Sequence, residues 1–268
     1  MKLGISTYTY TWSVGVPGSE PEKPWDELTL VKKAAELEVD SLQIADNLPL
    51  HLMDVQRLKT LKQFASDSGI ELEVGARGMT AEMLLRYLEI ADLLGSSILR
   101  FVIDGPDFKP TVEEVTSIVR SAAPELEKRG IRLAIENHDR LKAREFLAIL
   151  KGSQSANVGI CLDSVNSLGA GEGIETITTL LAPYTYNLHI KEFIAERHPH
   201  TMGFTIEGRP VGQGQLPLAW MLDQLGSQCQ SAILESWTPP DETIEKTMAK
   251  EARWAIQSIE YLKTNFFK

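Results

Sequence analysis

Eight short β-compatible runs, separated by amphipathic helical stretches, constrain this chain more than any other feature. The runs fall at residues 2–7, 41–46, 71–77, 98–103, 132–136, 158–163, 186–191 and 232–237. Strands that alternate with helices are expected to be parallel, because each helix carries the chain back to the edge it started from. Eight such units close on themselves as a (β/α)8 barrel; an open doubly wound sheet is the competing architecture. The equal eightfold count favours an α/β fold with a single TIM barrel spanning residues 1–268. That length suits one barrel, and no linker, low-complexity segment or shift in composition divides the chain.

The helical stretches carry their own punctuation. In residues 24–39, Leu28, Val31, Ala34, Ala35 and Leu37 form one apolar face, and Val55, Leu58, Leu61 and Phe64 do the same in residues 54–68. Thr80 and Thr111 are expected helix caps, and Gly69 and Gly95 expected stops. Pro124 falls inside the helix that begins at Thr111, so a kink or break is expected there. Further helices are expected over residues 141–150, 174–181, 217–226 and 241–262. Two connections are long, residues 8–24 and 192–216, and both follow a strand. In a barrel they lie on the C-terminal face, where active sites are built.

Four consecutive strands end in residues that can bind a metal. The stretch RLAIENHDR (132–140) passes abruptly from Leu133-Ala134-Ile135 to Glu136-Asn137-His138-Asp139, and CLDSVNS (161–167), NLHIKE (187–192) and ILESW (233–237) end in the same manner. Side chains alternate along a strand, so Glu136, Asp163, His189 and Glu235 can all point into the barrel mouth, with His138 and Lys191 on the same sides. Taken singly, each acid reads as a surface or ion-pair residue and His189 as a hydrogen-bonded core histidine. Together, three carboxylates in one small space repel and raise one another's pKa, and a divalent cation resolves the conflict. Three carboxylates and one imidazole suit Mn²⁺ or Mg²⁺, with Co²⁺ and Zn²⁺ as alternatives. Such an ion can polarise a carbonyl and stabilise an enediolate, with a neighbouring carboxylate as base.

Charge and cysteine usage narrow the field. The formal net charge of -10 disfavours nucleic acid as a partner, and five histidines are too few for a multi-metal DNA-repair nuclease of the endonuclease IV kind. Cys161 and Cys229 lie in apolar surroundings without CxxC spacing and read as buried thiols. MKLGISTYTY is not a signal peptide and no run approaches the length of a membrane span, so a cytoplasmic location with no membrane partner is expected. Trp12 and Trp237 are candidate aromatic walls for a sugar, and Arg197 and Arg209 are candidate clamps for a carboxylate or phosphate.

From KLGIST at the N-terminus to the last helix, IEN (135–137), CLD (161–163), LHIKE (188–192), PVGQG (210–214) and LES (234–236) occur in an order and spacing that resemble the xylose isomerase-like TIM-barrel superfamily. The likeness is to its sugar isomerase/epimerase branch, which includes tagatose 3-epimerase-like and hydroxypyruvate isomerase-like enzymes. The resemblance implies Glu136, Asp163, His189 and Glu235 as metal ligands, with Glu136 and Glu235 also serving as acid/base residues. It further implies a pocket closed by the PVGQG turn, a small carbohydrate or sugar-acid substrate, and a homo-oligomer. Epimerases of this branch carry a histidine three residues after the aspartate ligand, where it contacts substrate oxygens; this chain has Asn166. STYTYTWSVGVPG at the N-terminus and QIADNLP (43–49) resemble instead the 3-oxo-isoapionate decarboxylase group. The expected activity is therefore metal-dependent isomerisation or epimerisation through an enediolate, and the alternative is a metal-dependent lyase that decarboxylates a 3-oxo sugar acid.

Overall fold

Each of the eight expected runs forms a strand of a closed parallel barrel. The computed structural model describes residues 1–267; Lys268, the last residue of the expected span, lies outside them. In chain order come β1 (Lys2–Ser6), β2 (Ser41–Ile44), β3 (Glu71–Arg77), β4 (Ile98–Val102), β5 (Arg132–Glu136), β6 (Val158–Asp163) and β7 (Thr185–Ile190). The chain then makes an antiparallel hairpin, β8 (Phe193–Arg197) and β9 (Phe204–Gly208), before β10 (Ser231–Leu234) closes the ring between β7 and β1. The hairpin lies within the long connection of residues 192–216, where no strand was expected. Its alternating sequence, FIAER against FTIEG, pairs Phe193 with Gly208 and Arg197 with Phe204.

Alternation along the strands separates two environments. Leu3, Ile5, Leu42, Ile44, Leu99, Phe101, Leu133, Ile135, Ile160, Leu162, Leu188 and Ile190 join the helices in one apolar cluster. Burying a side chain of this kind stabilises by about 1.5–3 kcal/mol, so this layer between sheet and helices is the main source of cohesion. The alternate positions are mostly polar and equally buried: Ser6, Gln43, Glu73, Arg100, Glu136, Asp163, Asn187 and His189. The barrel interior is thus a hydrogen-bonded polar column capped at its C-terminal end by charge.

The helices begin and end close to the expected residues. Asp26, Asp54, Thr80 and Thr111 accept backbone N–H groups at the starts of α2 (Glu27–Glu36), α3 (Val55–Asp67), α4 (Ala81–Leu94) and α5 (Val112–Arg129), which follow the short α1 (Thr11–Val14). Left-handed Gly95 and Gly130 terminate α4 and α5. The helix does not break at Pro124: α5 continues to Arg129, forgoing one backbone donor while Val115, Val119, Ala122 and Leu126 stay buried. The apolar face outweighs the missing bond. The remaining helices are α6 (Ala143–Ser153), α7 (Ile174–Leu181), α8 (Leu218–Gln224) and α9 (Ile244–Asn265). Among the described residues no helix is long and apolar enough to cross a membrane.

Gly4 of β1 shows how tightly the interior is filled. A Cβ there would run into Ser41 Oγ and lie 2.7 Å from Ile233 Cδ1 and 2.8 Å from the Ser41 carbonyl oxygen. Gly4→Ala is expected to destabilise by about 1–3 kcal/mol through overpacking, read as a lower urea midpoint with an unchanged m-value. An unchanged midpoint would mean that β1 and β2 can separate at no cost.

Candidate metal and active site

The barrel register carries four metal-competent side chains to one point. Glu136 and Asp163 are the last residues of β5 and β6, His189 is next to last in β7, and Glu235 follows β10 directly. His189 stands opposite Asp163 on one side and Ile233 on the other. Its Nδ1 lies 3.5 Å from Glu136 Oε2, 3.8 Å from Asp163 Oδ2 and 3.4 Å from Glu235 Oε1. All four residues are buried. His189 Nδ1 is enclosed and has no hydrogen-bond partner; Asp163 Oδ2, also enclosed, accepts no hydrogen bond and is faced by the Lys191 ammonium. Orphaned polar atoms of this sort are costly unless something fills the space between them.

The remaining lone pairs are held by the surrounding chain. Arg100 Nε donates to Glu136 Oε2, and Asn166 Nδ2 donates to Glu136 Oε1 at 2.8 Å. The backbone N–H groups of Val165 and Asn166 both reach Asp163 Oδ1 at 2.8 Å. Ser6 Oγ donates to Glu235 Oε1 at 3.1 Å. Lys191 Nζ bridges Asp163 Oδ2 and Glu235 Oε2, 3.0 Å from each. Asn137 fixes the ends of β5 and β6 to each other, accepting from the Asp163 N–H at 2.7 Å and donating to the Asp163 carbonyl at 3.0 Å.

Electrostatics at this point favour positive charge. Burial pushes the Asp163 carboxyl upward, but Lys191 and His189 outweigh it and hold the group below the usual carboxylate range. Glu235 is likewise raised by burial and drawn below its ordinary value by His189, Lys191 and Arg100. Burial acts to discharge His189 and Lys191, yet the surrounding carboxylates lift both above their ordinary values. Three carboxylates face two fixed cations, Arg100 and Lys191, which leaves one negative charge beside the orphaned imidazole nitrogen. Hard oxygen donors, one imidazole lone pair and unbalanced negative charge fit a divalent cation. Cys161 also lies within reach of Glu136 and His189. Burial and the nearby carboxylates push its thiol well up, so it stays protonated and donates to Asn187 Oδ1 at 3.0 Å.

Above the cluster opens a cleft of about 640 Å³. Lys191, Asn166, His138, Trp12 and Trp237 line it, together with Tyr8, Arg77 and Arg100. The Lys191 ammonium stands 5.6 Å from the Trp237 ring centroid. Trp12 is held by its backbone N–H to Glu251 Oε1 at 2.9 Å and by Nε1–H to the Thr238 carbonyl at 2.8 Å. Arg77 Nη2 donates to His138 Nε2 at 2.9 Å, which leaves the His138 proton on Nδ1, 3.0 Å from Asp139. His138 therefore belongs to the cleft wall.

Two expected clamps do not reach the cleft. Arg197 lies over Phe204, 4.4 Å from its ring, and donates to the Thr201 carbonyl. Arg209 is occupied by Glu207, Glu196 and the Gly208 carbonyl. Hairpin pairing supplies partners for both that a linear reading of the loop does not reveal. The PVGQG turn is not in the cleft lining either: Glu192 accepts from the Gly212 N–H, and Val211 donates to Ser258 of α9. Arg100 pairs with Glu136 and Asp46, and Asp46 also holds Arg77 and Tyr8. Asp46 was not singled out in the sequence; its position two residues past β2 is the signal that marks it.

A closed parallel barrel with acids and an imidazole converging at its C-terminal strand ends is a TIM-barrel protein with its candidate site on the face that such barrels use for chemistry. The xylose isomerase-like TIM barrel model matches residues 31–264, and the chain belongs to that family. It is 32% identical over 266 residues to the 3-oxo-isoapionate decarboxylase of Pectobacterium atrosepticum, covering 98% of this chain and 96% of that one. D-psicose 3-epimerase from Clostridium cellulolyticum H10, solved with D-tagatose, superposes over 100% of both chains with a TM-score of 0.74 at 18% identity. A xylose isomerase-like TIM barrel protein from Mycobacterium smegmatis, solved in complex with magnesium, gives 0.66 at 14% identity over 97% of each chain. At such identities the two structures establish a shared fold.

Arg100→Met tests the charge balance. It leaves Glu136 and Asp46 buried without their guanidinium, and is expected to cost about 3–5 kcal/mol in urea unfolding near neutral pH with chelator present. Burial raises the Asp46 carboxyl, but Arg100 and Arg77 hold it below its usual range, so its contribution is present above roughly pH 4 and lost as pH falls further. The gap between wild type and variant should accordingly narrow in acid.

Proposed function

We propose that this protein is a divalent-metal-dependent enzyme that decarboxylates a 3-oxo sugar acid, with 3-oxo-isoapionate or a close analogue as substrate. The observation that carries the choice of reaction is the state of Glu136. Both its oxygens are engaged as acceptors, by Arg100 Nε and Asn166 Nδ2. A carboxylate held in this way is anchored to the barrel wall at both oxygens, whereas isomerisation or epimerisation needs a carboxylate free to reach a substrate C–H and take its proton. Loss of CO₂ needs no such base. The bond to the carboxyl carbon breaks, its electron pair moves toward the neighbouring ketone, and one proton later replaces CO₂ on carbon.

Glu136, Asp163, His189 and Glu235 are the residues that would hold the cation, which supplies Lewis acidity at the floor of the cleft when bound. Lys191 keeps its positive charge there, because Asp163 and Glu235 hold its ammonium against the pull of burial. That fixed charge favours an anionic substrate and the oxygen on which negative charge develops. Asn166, placed between Glu136 and Lys191, offers neutral hydrogen bonding where the epimerase pattern has a histidine. Trp12 and Trp237 wall the cleft and limit water. The near-full-length identity to a 3-oxo-isoapionate decarboxylase supports the substrate class.

Turnover of a 3-oxo sugar acid in D₂O is expected to release one CO₂ and leave one deuterium on the product carbon. Chelation should abolish it, and Mn²⁺ or Mg²⁺ should restore it. Lys191→Met should lower kcat by about 10²–10³-fold, the scale seen when one preorganised charge-stabilising donor is lost. A product that keeps every carbon, or ready epimerisation of a keto sugar with no reaction of the acid, would sink this reading in favour of the isomerase.

A further inference from the structure

Beneath the acid cluster, the polar column of the barrel contains a buried carboxylate that the reaction does not use. Glu73 of β3 is almost fully enclosed and lies below the cleft. Its Oε2 accepts from Gln43 Nε2 at 2.9 Å and from Asn187 Nδ2 at 3.2 Å. Gln43 spends its second amide proton on Asn187 Oδ1 at 3.1 Å. Asn187 is oriented in turn, donating to Ser231 Oγ at 2.7 Å and accepting from the Cys161 thiol at 3.0 Å. Two acceptors therefore stand behind the Gln43 nitrogen, and turning the amide over would set its oxygen against both.

The consequence falls on His189. With its nitrogen committed downward, Gln43 presents Oε1 upward, 2.8 Å from His189 Nε2. Oε1 can only accept, so Nε2 must carry the proton. The lone pair of a neutral imidazole is then on Nδ1, the atom that faces Glu136, Asp163 and Glu235 without a partner. We infer that Gln43, oriented by Glu73 and Asn187, is a positioning residue that selects the Nε2–H tautomer of His189 and so aims its Nδ1 lone pair at the cation site. The inference rests on the metal-site reading above and adds the device that makes the imidazole a ligand at that atom. Partners of this type fix ring orientation as well as tautomer, and their loss typically costs about 10–100-fold in metal affinity.

The wild-type protein, labelled with ¹⁵N at histidine and loaded with zinc as a diamagnetic probe, provides the direct test. The expected spectrum has the His189 proton on Nε2, slow to exchange with solvent, and metal on Nδ1. In zinc titrations, Gln43→Met should bind about 10–100-fold more weakly, while Glu73→Gln, which keeps an oxygen facing Gln43, should stay within about threefold of wild type. A proton found on Nδ1 in the zinc-loaded wild type overturns the inference, whether or not any variant folds. So does a folded Gln43→Met protein, checked by thermal melting, that binds zinc as tightly as wild type. Wild-type protein that binds no divalent cation overturns this inference and the metal-dependent function together, whereas normal wild-type binding with an unaffected Gln43→Met variant removes this inference alone.

Discussion

Three carboxylates buried at one point of a barrel must be balanced, and much of the mouth of this protein is arranged around that requirement. Desolvating a single ionised carboxyl costs several kcal/mol even after relaxation. The chain answers with Arg100 against Glu136, Lys191 between Asp163 and Glu235, and backbone N–H groups on Asp163. Asp46 then neutralises the outer side of Arg100 and draws in Arg77 and Tyr8. The compensation is extensive but incomplete, and the residual negative charge surrounds the buried Nδ1 of His189, which has no hydrogen-bond partner.

The fold can sustain such a centre because its two environments are separate. The apolar layer lies outside the strands, between sheet and helices. The interior is then free to be polar from Glu73 near the base to Lys191 at the rim, provided that every group finds a partner. A network of this kind fixes side-chain orientations far more sharply than packing alone, because a flipped amide leaves two buried groups unsatisfied. The cleft above inherits that rigidity. Its aromatic walls are pinned from outside the barrel, Trp12 by Glu251 of α9 and Trp237 through the close approach of Gly208.

The same balance distinguishes chemistries that share a scaffold. A barrel in this family can present an acid cluster to an epimerisable sugar or to an oxo acid, and the strand ends alone do not separate the two. In the reading proposed above the neighbours separate them, because Glu136 is clamped between a guanidinium and an amide. A buried lysine and a neutral asparagine replace the cationic potential of a histidine beside it. Arg100, Asn166 and Lys191 all lie within three residues of a strand end, and none of them is one of the four clustered side chains.

The eight barrel strands and the convergence of Glu136, Asp163, His189 and Glu235 were legible in the linear order, though the β8–β9 hairpin was not, because hydrophobic alternation and the parallel β–α repeat are local properties that determine which way each side chain points. The helix caps at Thr80 and Thr111 were legible for the same reason. Partnership was not. Only closure of the ring brings Glu136 and Asp46 to Arg100; Arg197 and Arg209 read as clamps until the hairpin gave each a partner of its own. Sequence determined which residues would stand at the mouth of the barrel. Tertiary structure decided which charges are balanced and which nitrogen of His189 is left facing the acids, since both depend on contacts between strands far apart in the chain.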